Sequence, residues 1–244
     1  MRTSNPALKE GVWRRADALA AGEPMTVAGT TTKSFVLVLL TIFAAAFTWR
    51  AVLAGNTGIV MPALLVGGLG GFVVAMVTIF KPRFAPTTAP LYAVLEGLLL
   101  GAISALYQTQ YAGLPAMAVG LTALTFLVML FLYRTRIVRV TERFRMVIVA
   151  AMGGIFLFYL ASFVLGFFGI RLPLIHDAGP LGIGFSVVVV GVAAFSLLLD
   201  FDMIEDGVRS RAPKYMEWYG AFSVLVGLIW LYLELLRLLS KLRR

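Results

Sequence analysis

The segment Pro180–Leu199 reads PLGIGFSVVVVGVAAFSLLL and contains no charged residue. A helix needs about 20 mostly apolar residues to cross the hydrocarbon core of a bilayer. In lipid, a chain segment must satisfy its own backbone hydrogen bonds, so a run of this length predicts a membrane-spanning helix. The alternating polarity that is typical of barrel strands of about 10 residues is not seen here.

Six further apolar runs of similar length lie elsewhere in the chain. Of its 244 residues, 60% are hydrophobic and 14% are charged, and the mean hydropathy is +0.93. A soluble domain of this length cannot bury that much apolar surface. The sequence therefore predicts an all-α integral membrane protein, in which a polar cytoplasmic arm (residues 1–33) precedes a bundle of seven transmembrane helices (residues 34–244). The predicted helices are Ser34–Leu53, Gly58–Phe80, Thr88–Tyr107, Leu114–Tyr133, Val147–Gly169, Pro180–Leu199 and Gly220–Leu239.

The basic residues predict how these helices cross the membrane. Most of the 21 Lys and Arg residues lie in the N-terminal arm and in the second, fourth and sixth loops, whereas the opposite loops contain only Arg50 and Arg171. Because cytoplasmic loops are enriched in Lys and Arg, we expect the N-terminus to be cytoplasmic. Lys241, Arg243 and Arg244 would then lie on the other side of the membrane. Either the last helix is re-entrant, or this tail is a minor exception to the rule.

The net charge of +9 does not indicate nucleic-acid binding. Basic loops set the topology and contact anionic lipid headgroups, so membrane lipids are the expected partners. A nucleic-acid module would need a basic face with stacking aromatics on a soluble fold. No removable signal peptide is expected, because the first 30 residues are polar and carry charges of both signs.

Covalent chemistry is not indicated either. The chain has no cysteine and one histidine, His176 in a loop, which excludes a thiol nucleophile and a zinc site built on paired histidines. Serines such as Ser104, Ser162 and Ser196 lie on apolar helices, where hydroxyl groups usually bond to the backbone. We therefore expect neither an enzyme nor a resident cofactor.

Two runs of small residues lie inside predicted helices. They are residues 67–71 (GGLGG) and residues 150–154 (AAMGG). In a membrane such runs let helix backbones approach closely. Both are therefore predicted to be packing faces.

Charged side chains at apolar depth are candidate functional residues, because placing each of them there costs free energy. Glu96 lies about midway along the third predicted helix, where an ionised glutamate needs a cation. We predict a buried ion pair between Glu96 and Arg237 of the last helix, with Glu234 as a second neighbour of Arg237. This pair is either a structural staple between helices or a functional gate.

The sixth predicted helix ends in four carboxylates at Asp200, Asp202, Glu205 and Asp206. The last three either form a solvated helix end paired with nearby arginines or assist a titrating site. Asp200 directly follows the apolar run and is the deepest of the four. It is the predicted pH-sensing residue, with Asp202 and Glu205 as helpers. Asp200 is also a candidate Ca²⁺ ligand, since clustered carboxylates supply the oxygen ligands that Ca²⁺ prefers.

Six short motifs are distributed along the chain. They are residues 25–33 (MTVAGTTTK), 81–86 (KPRFAP), 92–98 (YAVLEGL), 179–184 (GPLGIG), 199–202 (LDFD) and 212–219 (APKYMEWY). Together they resemble the bacterial YccA-like branch of the Bax-inhibitor family, also called the transmembrane Bax-inhibitor-motif family. The similarity covers essentially the whole chain, and its YMEWY stretch is specific.

This resemblance implies a seven-helix bundle with a central last helix, in the inner membrane of a bacterium. It also implies a pH-sensitive Ca²⁺ leak, gated by two aspartates on the last two helices that share a proton. Asp200 matches the sixth-helix member of that pair, whereas the second position falls at or near Gly227. Glu96 and Arg237 match charged contacts between the third and last helices.

A second function is implied by the same resemblance. YccA-like proteins resemble substrates and modulators of the membrane-anchored AAA+ protease FtsH, which seizes a cytoplasmic N-terminal arm. This chain has a polar arm in residues 1–33. The alternative function is therefore that of a non-conducting protease modulator or substrate.

Overall fold

Seven long helices make up the described part of the chain. The structure, a computed structural model, describes residues 23–169 and 179–243, so most of the predicted arm and the loop with Arg171 and His176 lie outside the described residues. Within these ranges seven helices are long and apolar enough to cross a membrane, which confirms the predicted seven-helix membrane bundle. In chain order they are α1 (Val27–Leu53), α2 (Thr57–Phe80), α3 (Ala85–Gln110), α4 (Leu114–Arg134), α5 (Glu142–Phe167), α6 (Pro180–Arg209) and α7 (Met216–Leu242).

Helix α1 begins before the start predicted at Ser34. The side chain of Thr26 caps the helix by accepting the N–H of Gly29 at 2.9 Å. The hydroxyls of the threonines at 30–32 donate to carbonyl oxygens four residues earlier. A threonine hydroxyl that bonds to its own helix makes a polar stretch compatible with helical structure. Residues 27–33, which the sequence assigned to the arm, are therefore helical.

Helix α2 is irregular at its glycine run. Residues Val66–Gly70 form a π-helical turn between the α-helical stretches Val60–Leu65 and Gly71–Phe80. Gly67 packs closely on α3, because an ideal Cβ at this position would lie 2.7 Å from the carbonyl oxygen of Leu95. The missing side chain is what allows this approach of two helix backbones. The predicted packing face of this run is confirmed.

The second small-residue run, on α5, does not pack in this way. Nothing among the described residues lies within 4 Å of an ideal Cβ on Gly153 or Gly154. Only 6% of the most apolar stretch of α5 is buried inside the protein. For the part of the chain that the structure describes, the predicted packing of residues 150–154 is therefore wrong. The two runs have similar compositions, but among the described residues only the first packs closely on another helix.

The helices are grouped into two compact units. Unit 1 comprises Met1–Ala102 and Asp202–Leu225, and unit 2 comprises Ile103–Phe201 and Val226–Arg244. In unit 1, α1 and α3 touch closely, because an ideal Cβ on Gly97 would lie 2.5 Å from the carbonyl oxygen of Thr41. In unit 2, the hydroxyls of Ser104 and Tyr232 lie 2.6 Å apart and join α3 to α7. Helix α7 contributes residues to both units. It is the most enclosed of the seven spans, with 56% of its most apolar stretch buried.

The C-terminal end of α7 is fixed within unit 2 by two basic side chains. Arg243 donates to the carbonyl oxygen of Ala112, in the turn between α3 and α4, at 2.8 Å. The ammonium group of Lys241 donates to the carbonyl oxygen of Gly182, near the start of α6, at 2.9 Å. Helix α7 is unbroken and ends beside the start of the preceding helix, which favours a single crossing over the re-entrant alternative. Two side chains of the basic tail thus bind backbone carbonyls.

Candidate functional site

Asp200 lies on α6, where this helix meets α7 within unit 2. An ideal Cβ on Gly227 would lie 3.1 Å from Oδ2 of Asp200 and 3.0 Å from Cδ2 of Leu197. Gly227 therefore faces Asp200 directly, at the position where the resemblance places a second aspartate. Because glycine has no side chain, α7 brings no carboxylate to Asp200 from this position.

The carboxylates that follow Asp200 belong to unit 1. Glu205 and Asp206 both bind the guanidinium of Arg209, at 3.4 and 3.3 Å. Asp206 is 51% exposed, and the Arg209 side chain is 68% exposed. For these two residues the pairing and the exposure favour a solvated helix end over a titrating site. Exposed ion pairs of this kind add little stability. Asp202 is half-buried.

Within the described ranges, no three His, Cys, Asp or Glu side chains come together in a group that could hold a metal ion. Asp200, Asp202 and Glu205 are thus not assembled as a ligand cluster. Binding of Ca²⁺ at Asp200 stays a prediction.

Glu96 lies on α3 and is buried, with 9% of its surface exposed. It packs on α2 in unit 1, where an ideal Cβ on Gly71 would lie 2.7 Å from Oε1 of Glu96. Glycine at position 71 thus makes room for this carboxylate. The predicted pair of Glu96 with Arg237 would join unit 1 to unit 2, and it stays a prediction.

Arg237 binds Glu234, three residues earlier on the same helix. Nη1 of Arg237 lies 2.9 Å from each carboxylate oxygen of Glu234. The hydroxyl of Tyr159 on α5 lies 3.1 Å from the same two oxygens and also bonds to Nη1 of Arg237. The guanidinium carbon is 4.8 Å from the centre of the Tyr159 ring, which adds a cation–π contact. We call these three residues the Glu234 cluster.

Glu217 forms a second charged centre, in unit 1, which the sequence interpretation missed. It lies in the first turn of α7 and is fully buried. Its Oε1 accepts the backbone N–H and the hydroxyl of Thr26, at 2.9 and 3.0 Å. Lys33 of α1 binds the other oxygen, and Lys214 lies 3.3 Å from Oε1. Hydrogen bonding to Glu217 raises the pKa of Lys214.

The contact between Glu217 and Thr26 joins the N-terminus of α1 to the first turn of α7. A carboxylate is stabilising beside the N-terminus of a helix, where free N–H groups carry partial positive charge. The neighbouring backbone is held as well, because the N–H of Met25 donates to the carbonyl oxygen of Ala212 at 2.8 Å. The signal available in the sequence was the charged position inside the YMEWY stretch, together with the threonines and Lys33 of the MTVAGTTTK motif.

These features define the class of protein: a multi-pass helical membrane protein that holds carboxylates inside its helical units. A family model described as Bax inhibitor 1 like matches residues 5–244. The chain therefore belongs to the Bax inhibitor 1-like family. No curated protein and no solved structure matches the chain.

Proposed function

We propose that this protein is a pH-sensitive Ca²⁺ leak of the YccA-like branch, resident in a bacterial inner membrane with its N-terminus in the cytoplasm. The observation that carries the proposal is the position of Asp200 opposite Gly227 on α7. A carboxylate at the contact of two membrane-spanning helices exchanges a proton for a cation, because each neutralises the same charge. Protons and Ca²⁺ therefore compete for Asp200.

The glycine opposite Asp200 determines the strength of this competition. Two adjacent carboxylates repel each other, so their protonation is coupled and splits into two steps. Here Gly227 contributes no charge. The proposed leak binds Ca²⁺ weakly, and its pH dependence is shallower than that of a pair of aspartates.

The test is Ca²⁺ uptake into proteoliposomes that contain the full chain, measured over a pH series. Asp200→Asn removes the proposed exchange site and is expected to abolish the pH dependence of the flux. The matched control is Asp206→Asn, the same chemical change on a half-exposed side chain paired with Arg209. A sharp acid switch that survives Asp200→Asn would contradict the assignment.

A second candidate function is that of a substrate or modulator of the protease FtsH, which does not require conduction. The feature that favours it is the anchored backbone before α1, where Pro24 pairs with Pro213 and Met25 bonds to Ala212. A protease that pulls on residues 1–22 meets this anchored segment before any membrane-spanning helix. Deleting residues 1–22 is then expected to slow turnover in a pulse-chase without loss of folded protein. Unchanged turnover would count against this function.

A further inference from the structure

The Glu234 cluster lies on the same side of α7 as Gly227. The two positions are seven residues apart, which is close to two full turns and a rise of about 10 Å. Gly227 faces Asp200, and Glu234 faces Tyr159 of α5, all within unit 2. Helix α7 therefore brings a carboxylate of its own to unit 2, two turns along the helix from the contact with Asp200.

Glu234 is more completely enclosed than a helix-surface ion pair. Its side chain is 2% exposed, and both its oxygens are bonded. One guanidinium nitrogen and one phenol hydroxyl supply these contacts, at 2.9 and 3.1 Å. The negative charge of Glu234 is thus balanced inside the protein by the positive charge of Arg237.

We propose that Glu234 is a second cation-binding carboxylate of unit 2, and that Arg237 is a tethered cation that occupies it in the structure described. The inference deepens the proposed leak and rests on it for its role in ion flow. A metal ion and a guanidinium compete for the same two oxygens. While Arg237 is bound, no net charge remains to attract Ca²⁺.

The chemistry of the cluster fits this competition. A carboxylate left without its partner in a buried position is unfavourable, so it takes up another cation or a proton. Glu234 and Tyr159 together offer three of the roughly six to eight oxygen ligands that Ca²⁺ takes, and water would supply the others. Tyr159 is a positioning residue, because it contacts both the carboxylate and the guanidinium.

The first test is Ca²⁺ binding to the purified full chain by equilibrium dialysis. Arg237→Gln frees the carboxylate of Glu234. This variant is expected to bind Ca²⁺ about tenfold more tightly than wild type, a factor that corresponds to about 1.4 kcal/mol. Arg237→Lys keeps the positive charge and is not expected to gain binding. The double variant Glu234→Gln/Arg237→Gln lacks both charges and is the matched control. If Arg237→Gln binds no more Ca²⁺ than the double variant, the proposal is overturned.

A second variant keeps the test valid if Arg237→Gln does not fold. Arg237→His, prepared at low pH, carries a cation there and loses it at the pH where the imidazole deprotonates. Binding of Ca²⁺ is then expected to appear above that pH. Absence of that gain, in a variant that remains folded, would also overturn the proposal.

Flux through proteoliposomes separates this inference from the proposed function. We expect Arg237→Gln to raise Ca²⁺ flux, and the double variant to return it to the wild-type level or below. A cavity control, Leu231→Ala, loosens the same helix without freeing a charge. If no variant conducts but Arg237→Gln still gains Ca²⁺ binding, the leak is wrong and the binding site stands. If wild type conducts but Arg237→Gln gains neither binding nor flux, the leak stands and the tethered cation is wrong.

Discussion

Gly29 makes room for the carboxylate of Glu217, because a Cβ at position 29 would stand where the Glu217 oxygens lie. The contact joins the first turn of α1 to the first turn of α7 inside unit 1. Glu217 reaches the capping residue Thr26 because position 29 of α1 has no side chain. A glycine in the first turn of a helix is therefore part of a charged contact.

Gly29→Ala is expected to destabilise the protein by displacing Glu217 from Thr26 and Lys33. Overpacking a well-packed site costs about 1–3 kcal/mol of the free energy of unfolding. The measurement is thermal unfolding in detergent. The control is Gly120→Ala on α4, where an ideal Cβ meets nothing described within 4 Å. We expect the control to be neutral or stabilising by up to about 1 kcal/mol, as for glycine replaced inside a helix. Equal effects at the two positions would refute the contact.

Glu234 and Arg237 are expected to show strong coupling in a double-mutant cycle. Removing Arg237 strands the buried charge of Glu234, at a cost of up to about 3–5 kcal/mol. Removing Glu234 leaves a guanidinium that is 31% exposed, and it is expected to cost less. The variants are Glu234→Gln, Arg237→Gln and their combination, compared by thermal unfolding. Additive losses would show that the pair contributes nothing beyond its separate residues.

The same cycle with Glu96→Gln in place of Glu234→Gln tests the predicted pair of Glu96 with Arg237. Coupling above about 0.5 kcal/mol would support a contact between these side chains. Additive effects would assign Arg237 to Glu234 and leave Glu96 as a separate carboxylate beside Gly71. The Glu234 cycle serves as the internal standard for a contact that the structure contains.

Gly227→Asp is expected to steepen the pH dependence of Ca²⁺ flux, because Ca²⁺ bound between two carboxylates displaces up to two protons, whereas at Asp200 alone it displaces one. The new Cβ would lie 3.0 Å from Cδ2 of Leu197, so this leucine must shift by a few tenths of an ångström. Gly227→Asn has the same size and no charge, and it separates the electrostatic effect from the steric one. If both variants give the same pH profile, the charge at position 227 does not control the flux.

Ser186→Ala is expected to leave the stability unchanged or to raise it. The Ser186 hydroxyl is buried on α6 and has no hydrogen-bond partner among the described residues. Burying such a group costs about 1–3 kcal/mol, and alanine removes it. Ser196→Ala on the same helix is the control, since that hydroxyl donates to the carbonyl oxygen of Ala193 at 2.9 Å. We expect Ser196→Ala to lower the free energy of unfolding by about 1 kcal/mol. A larger loss at Ser186 would show that its hydroxyl is satisfied.

The existence and order of the helices could be predicted from the sequence, because an apolar run of about 20 residues has one stable backbone form in lipid. The start of α1 could not be predicted in this way. The threonines at 30–32 are polar like the predicted arm, and only the cap at Thr26 shows that they belong to the helix. Hydropathy marks where a segment enters lipid. It does not mark where the hydrogen-bonded backbone begins.

Side-chain partners were predictable only where they are close in sequence. Glu234 was recognised as a neighbour of Arg237 from their spacing, and the structure pairs them. Tyr159, which completes the cluster, lies on another helix, and no local pattern connects it to Arg237. The position of Gly227 opposite Asp200 followed from a resemblance that covers the whole chain.

The contact between Thr26 and Glu217 also constrains the order in which the chain folds. These residues are 191 positions apart, so α1 is inserted long before its capping carboxylate has been synthesised. Until then Lys33 has no Glu217 to bind, and the nascent chain holds an unfinished first helix. Domains form as units during synthesis, and contacts of long sequence separation form late. A chain truncated before α7 would lack Glu217, so the contact of Thr26 with this carboxylate reports that synthesis has passed position 217.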